Sequence, residues 1–463
     1  MNKQSFFTTA IPAIAFATMA HVSAPTLHAQ EIAFSGSLTT QAGIGLPNAH
    51  KQKGDFLLGQ TIFDGSVKAF YDEAMIYVNG QLIHDAVGSQ SSNGMSGFAD
   101  EDGSFALKLR EAYIDWKSGI FALRIGRQIV SWGKADDIQI TDVVSPFDES
   151  RVVASDYNES KLGIDAVRLS LLTDKAQVDA YYIPFFTPSI LPLSAGNPLR
   201  ARMFPDQMDG IQIFCPYFYD DFELPHKDIY NSEYAIRASF YTSVADLSLY
   251  GFYGWDDTPF IKYSPYFYVY PESPEDVGMI DVTGKYKRMA MIGADAAIPA
   301  GDFVFRLETA FFPMRHIQTT ADYQIEQFFY EENVTSSKKR HQLVSLVGFD
   351  WTLSDGWTIT AQYISDVVFK YRKYLDRKQY EHQATLSIEK TLLNETLTIS
   401  ASGALDLCNY STASELEFDY KLTDAITLSL IGDLYLEGPD GKDGMYGQYR
   451  DFSSVTFKGK VSF

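Results

Sequence analysis

Apolar and polar residues alternate with a period of two along much of the chain. In the final stretch Val455, Phe457, Gly459, Val461 and Phe463 share one face, and Thr456, Lys458, Lys460 and Ser462 the other. Ile426, Leu428, Leu430, Gly432 and Leu434 alternate in the same way with Thr427, Ser429 and Asp433. Leu397, Ile399 and Ala401 alternate with Thr398, Ser400 and Ser402, and Phe303, Phe305 and Leu307 with Arg306 and Glu308. Successive side chains of a strand point to opposite faces, so the pattern predicts strands with one apolar and one polar face.

Eighteen such strands are predicted. The first nine lie near 31–42, 57–70, 73–85, 105–116, 120–131, 161–172, 175–184, 231–243 and 245–255. The second nine lie near 286–298, 302–312, 341–353, 356–369, 380–391, 395–407, 411–422, 425–436 and 451–463. A count of 16 stays open, and Tyr263–Tyr270 is a further alternating aromatic stretch outside the eighteen. Connections after even-numbered strands are tight, as at Tyr71-Asp72, Lys117-Ser118, Asp355 and Thr423-Asp424. Those after odd-numbered strands are mostly long, with 132–160, 185–230, 256–285 and 313–340 the longest. Soluble sandwiches and solenoids alternate as well, because one face of each strand is buried. Short turns at one end and long loops at the other instead mark an antiparallel transmembrane β-barrel, with short periplasmic turns and long extracellular loops. An even count puts both termini at the short-turn end.

Aromatic placement points the same way. Trp116, Trp351 and Trp357 fall at strand ends beside short turns, while Trp132 and Trp255 end strands that lead into long loops, as two interfacial girdles require. Phe463 closes an amphipathic last strand, which resembles the C-terminal signature recognised by the barrel-insertion machinery of the bacterial outer membrane.

Composition narrows the class further. The chain has 463 residues, 38 Lys and Arg against 59 Asp and Glu, and a formal net charge of −21. So acidic a protein lacks the basic face that displaces counterions from phosphates, and no nucleic-acid partner is expected. Lys3, the apolar run from Phe6 to Met19 and the small residues before Gln30 read as a signal peptide over 1–29, leaving an outer-membrane β-barrel over 30–463. Its removal leaves 37 basic residues against 59 acidic, a net charge of −22. After Gln30 no apolar run reaches the length of a membrane helix, whereas strands need only about 9 to 11 residues each. A barrel of 16 to 18 strands leaves an aqueous channel. Such a chain meets outer-membrane lipids on its outside and small hydrophilic solutes on its inside.

The most specific segment is Arg124-Ile125-Gly126-Arg127-Gln128 followed by Trp132-Gly133-Lys134, continuing through Asp136, Asp137, Asp142 and Pro146-Phe147-Asp148. Here the chain resembles porin-like bacterial outer-membrane proteins with an R-x-G-R-Q-x-x-x-W-G segment before the constriction loop. The match covers about thirty residues. The resemblance implies a homotrimeric or monomeric diffusion channel with an inward-folded loop, and it names no solute.

The residues themselves suggest how such an eyelet would work. Residues 132–160 hold Asp136, Asp137, Asp142, Asp148, Glu149, Asp156 and Glu159 against Lys134 and Arg151, a net charge of −5. Alternation puts Arg124, Arg168, Arg237 and Arg306 on the polar faces of strands five, six, eight and eleven. A loop folded inward would set its acids against this basic wall, and charged walls in a pore select ions and orient polar solutes. Alternatively the loop is solvated outside and the arginines pair with lumen acids such as Glu308. Gly126 is expected to bulge its strand and swing Arg127 inward, where its forked guanidinium would clamp loop carboxylates bidentately. Gly133 is expected to make the tight turn into the loop, with Trp132 at the interface. The 185–230 loop is partly apolar and could close over the mouth.

Other chemistry is weakly signalled. His50, His84, His226, His316, His341 and His382 lack metal-ligand spacing, and neither Asp100–Ser104 nor Asp440–Gly444 has calcium-loop spacing, so no cofactor or metal is expected. No nucleophile elbow or nucleotide-binding loop occurs, so no enzyme is expected. Cys215 and Cys408, the only cysteines, would meet an oxidising compartment after export. A surface adhesin or receptor barrel with a blocked lumen, and a channel for hydrophobic substrates, are the competing readings.

Overall fold

The computed structural model describes residues 31–463 except 50, 93–94, 154–155, 195–196, 198, 201–206, 209–210, 215–221, 269–276 and 331–333. Residues 1–29, read from the sequence as a signal peptide, and Cys215 lie outside the described residues. Eighteen antiparallel strands form the body of the protein. They are β1 (Glu31–Gly45), β2 (Phe56–Tyr71), β3 (Ala74–Asp85), β4 (Phe105–Ser118), β5 (Phe121–Gln128), β6 (Ile164–Leu172), β7 (Ala176–Ile183), β8 (Glu233–Tyr241) and β9 (Asp246–Trp255). They continue with β10 (Arg288–Ala300), β11 (Phe303–Gln318), β12 (Ser337–Leu353), β13 (Trp357–Val368), β14 (Tyr380–Leu392), β15 (Leu397–Asp406), β16 (Thr412–Thr423), β17 (Ile426–Leu436) and β18 (Ser454–Ser462). Each strand pairs with its chain neighbour, and β1 pairs with β18 from Ser37↔Ser462 to Gly45↔Ser454, which closes the barrel. Closure removes the unpaired edges that hydrocarbon does not tolerate.

The alternation is realised as predicted. On β18 Val455, Phe457 and Phe463 are exposed while Ser454 and Thr456 are fully buried. The outward face of the barrel carries Phe34, Ile114, Leu169, Leu249, Ile292, Val347 and Phe457, each at least half exposed. An exposed apolar belt of this extent is stable only against lipid, where a charge at mid-depth costs about 2–4 kcal/mol. The protein is a multi-pass outer-membrane β-barrel.

One glycine fits the end of the closing seam. Gly36 exchanges backbone hydrogen bonds with Phe463, at 2.9 and 3.0 Å, and the Phe463 ring lies over it against Phe63, with centroids 6.2 Å apart. A Cβ at Gly36 would sit 2.9 Å from the Phe463 ring and 2.6 Å from the Asp64 carbonyl oxygen.

The alternating stretch around Tyr263 forms strands that stay outside the barrel. Phe260–Tyr268 and Val277–Lys285 pair as a hairpin in a separate small sheet with Gln207–Met208, Ile211–Phe214 and Phe222–Glu223. Helix α1 (Ala321–Tyr330) lies against it, and Leu191, Leu193, Phe222, Ile261, Val282 and Ile325 form their shared core. The long loops thus build a cap from their own apolar residues, and the barrel count remains eighteen.

Of the predicted girdle, Trp116 and Trp357 are exposed near the short turns, and Trp255 sits at the long-loop rim with Arg288 4.2 Å from its ring. Trp132 departs from the prediction. It is 6% exposed and packs between Tyr250, at 4.9 Å, and Tyr181, at 6.2 Å, inside the lumen. The chain turns inward directly after β5, which carries the indole away from the lipid boundary and into an apolar cluster.

Candidate functional site

The loop between β5 and β6 enters the lumen and is held there by residues of distant strands. The Glu308 carboxylate on β11 accepts the backbone N–H groups of Lys134 (2.6 Å), Ala135 (2.9 Å) and Thr141 (2.9 Å) and the Thr141 hydroxyl (2.7 Å). A buried carboxylate so supplied is worth more to the loop than to an arginine, and Glu308 has no arginine partner among its hydrogen bonds. Gly133 makes the turn, with φ +87°; a Cβ there would lie 2.5 Å from Glu308 Oε1.

Apolar residues of the loop complete the docking. Val130, Trp132, Ile140, Val143 and Val144 bury themselves against Ile183, Phe252, Met291, Phe312, Val344 and Leu346 on the inner faces of β7 to β12. An inner wall that is apolar along one arc, in a barrel whose lumen is otherwise polar, is the surface this loop covers.

Beyond the cluster the chain doubles back. Phe147 bridges to Lys161, Asp148 binds Lys108 on β4 at 2.5 Å, and Arg151 donates to Gln60 on β2 at 3.0 Å. Val153 reaches Leu57 and Leu58 of β2 and Phe452 before β18. The loop therefore spans the lumen from β2 to β13. Residues 187–194 and Asn197 lie against it: Asn197 Nδ2 donates to the Ser150 and Ser89 carbonyls, and Ile190 exchanges backbone bonds with Phe147 and Glu149. This part of the 185–230 loop packs against the lumen loop.

The predicted residues fall into separate groups. Asp136 stands at the loop tip, bonded to Arg306 at 2.6 Å and to Gln362 on β13 at 3.2 Å. Arg306 also binds Asp350 on β12, its Nε donating at 2.6 Å. Asp137 follows with φ +56°, a left-handed position that Asp tolerates. Burial and then the neighbouring Asp136 and Asp156 raise its pKa above the usual carboxylate range. Asp142 is 3% exposed and accepts the Trp132 N–H and the Tyr157 hydroxyl while pairing with Lys161, so it holds the loop's own shape.

The arginines on strands five, six and eight stay apart from the loop tip. Arg124 binds Asp115 on β4 at 2.5 Å and lies over the Tyr113 ring. Arg168 stands opposite both Arg124 and Tyr181, and Arg237 donates to Ser239 at 2.9 Å. Arg127 is bidentate, as its fork suggests, but its partner is Asp165, directly opposite on β6, with both bonds 3.0 Å. Gly126 has φ +128°, yet the β5–β6 register continues unbroken through it, so Arg127 meets a strand carboxylate and not the loop acids.

In a ring of eighteen, strands nine places apart face each other, so β5 to β8 look towards β14 to β17. The latter carry Glu415, Glu417, Asp419 and Asp433 on inner positions. Sequence reading passed over these acids, together with Gln362 and Tyr250, because alternation marks a residue as inward without saying which inward residues meet the loop.

Two of the spaces beside the loop border its Asp136–Ile138 tip or the residues that follow it. The upper one, about 340 Å³, lies between the loop and β10 to β14, with Asp256, Arg315, Asp366, Arg377 and Glu381 on its polar side. The lower one, about 470 Å³, lies between Asp136-Asp137 and the inner faces of β13 to β17. Ile138 borders both.

A family model described as "Protein of unknown function (DUF1302)" matches residues 34–451, and the chain belongs to that family. No curated protein matches the sequence significantly. Among solved structures, Acinetobacter baumannii OccAB4 is similar with a TM-score of 0.51 at 8% identity, covering 94% of this chain and 98% of that one. Pseudomonas aeruginosa OccK8 (OprE) is similar with a TM-score of 0.51 at 7% identity, again over 94% and 98%. At such identities the likeness is one of fold, that of porin-like outer-membrane barrels.

Proposed function

We infer that this member of the DUF1302 family is a passive outer-membrane channel for small hydrophilic solutes and ions, with the 132–160 loop as its constriction. The observation that carries the reading is the pair of spaces along the inner faces of β13 and β14, both bordered by Ile138 of the loop. A loop that docks on one apolar arc and leaves a polar, acid-bearing passage on the other narrows a pore without filling it. Asp136, Asp137 and Arg306 border or brace that passage. Arg124, Arg168 and Arg237 would act on solutes nearer the short-turn end, while Arg127 and Asp142 would serve the loop's architecture.

The same reading takes residues 1–29 as the export signal and places no catalytic role in the chain. A homotrimer or a monomer is the assembly that the porin-like resemblance suggests.

Single-channel recording of refolded protein in a planar bilayer tests the proposal. Stable open steps are expected. Silence from protein whose folded state is verified by resistance to proteolysis would refute the channel and favour a binding barrel with a blocked lumen.

A further inference from the structure

The passage beside the loop has an unusual lining. In the upper space Ile138, Ile140 and Val143 of the loop and Phe312, Val344 and Ile364 of the wall make an apolar floor. The polar side holds two guanidinium groups, and both are already paired. Arg315 is bidentate to Asp256 at 2.9 and 3.2 Å, and Arg377 binds Asp366 at 2.8 Å and Glu381 at 2.6 Å. With Glu149 and Asp257 also at this wall, carboxyl groups outnumber guanidinium groups five to two.

The lower space continues the trend. Asp136, Asp137, Glu415 and Asp433 border it, no Lys or Arg lines it among the described residues, and the rest of its wall includes hydroxyls such as those of Thr385, Ser387 and Ser402. Ile138 borders both spaces, and Tyr446 of the lower wall donates a hydrogen bond to Gln383 of the upper wall. Arg124, Arg168 and Arg237 border neither space.

Resting on the channel reading, we propose that this off-centre passage selects small amphipathic cations, organic amines with a short apolar body. Their apolar part is accommodated by the Ile138 face, and their ammonium group passes from the upper carboxylates to Asp136, Asp137, Glu415 and Asp433. An anion entering the lower space would meet four acidic side chains, and the Arg306 guanidinium beside it is already paired with Asp136 and Asp350. A hydrated inorganic cation gains nothing from the apolar floor, whereas an apolar group buried there is removed from water.

Bi-ionic recordings in planar bilayers with butylammonium, methylammonium and potassium chlorides, and with sodium butyrate, read this directly. Wild-type protein is expected to pass cations in preference to chloride and butyrate, and to favour butylammonium over methylammonium. Ile138→Asn is expected to lower the butyl-to-methyl permeability ratio several-fold. Glu415→Gln with Asp433→Asn is expected to lower the cation-to-chloride ratio several-fold. Anion preference, or equal permeability of the two amines in the wild type, would overturn the selectivity while leaving the channel standing. A folded but silent protein would overturn the channel itself.

Discussion

Glu308 on β11 and Thr141 in the lumen loop, 167 positions apart, are joined by two hydrogen bonds to one carboxylate oxygen, at 2.9 Å from the backbone N–H and 2.7 Å from the hydroxyl. With Lys134 and Ala135 on the other oxygen, this single side chain fixes both ends of the segment that carries Asp136 and Asp137. Position 308 is thus a latch for the lumen loop.

Removing the latch should release the loop. Glu308→Ala strands three backbone N–H groups, each at a cost of about 1–3 kcal/mol if it stays buried. Residues 133–141 are therefore expected to leave the wall. Protease cleavage within that segment, together with larger and noisier single-channel currents, reports the release. Resistance equal to wild type would argue that the apolar cluster alone holds the loop.

Arg306 ties the loop tip to the wall through Asp136 and Asp350. Arg306→Gln deletes the guanidinium beside the lower space and leaves both carboxylates without it. The reversal potential in a potassium chloride gradient should move further towards the cation value. An unmoved potential would show that Asp136 faces away from the permeant ions.

A pH dependence follows from the lid over the loop. Burial raises the Glu149 carboxyl to about 7, and burial followed by the charges of Glu233, Asp256 and Glu149 raises Asp257 as well. Asp148 and Asp256 face Glu149, Ser189 hydrogen-bonds it, and Arg315 faces Asp257. A carboxyl whose folded pKa lies above its unfolded value of about 4.5 contributes stability fully below that value and loses it as pH rises through the folded pKa. The contact between residues 147–150 and 187–191 should accordingly be tighter at pH 5 than at pH 8. Hydrogen exchange at the Ser189 and Ile190 amides measures it, and Glu149→Gln should flatten most of the dependence.

The barrel seam offers a stability test. Gly36→Val places methyl groups where the Phe463 ring and the Asp64 carbonyl already sit. Overpacking of this kind costs about 1–3 kcal/mol. The variant should unfold at lower guanidinium concentration and lose its folded band more readily in unheated electrophoresis. Wild-type behaviour would show that the ring swings aside freely.

Much of the barrel was legible because a strand in a lipid-facing barrel has two different solvents on its two faces. The strand set from 31–42 to 451–463 matches β1 to β18 with small shifts at the ends, and each end shift falls where a strand runs into turn or loop backbone. The stretch Tyr263–Tyr270 was legible as a strand but not as one outside the barrel, since alternation reports two unlike faces and not which sheet they belong to. Trp132 failed for a related reason. A Trp at a strand end satisfies an interfacial belt and an inward-packed cluster equally well, and only the path of the following residues separates them.

The site was legible in composition and not in pairing. Asp136 and Arg306 were both read as inward, and the fold joins them. Arg127 was read as a bidentate clamp, and the fold supplies Asp165 where loop acids were expected.

By itself the sequence determined the element type and the orientation of each face, because those follow from period-two contrast, which is local, and it narrowed the barrel to 16 or 18 strands. The tertiary structure alone decided which inner positions meet the loop. Closing eighteen strands into a ring brings Glu308, Gln362 and Gln60 to one loop from three separated strands, and sets β14 to β17 across from β5 to β8. Those distances depend on closure and shear, and no local pattern in the chain encodes them.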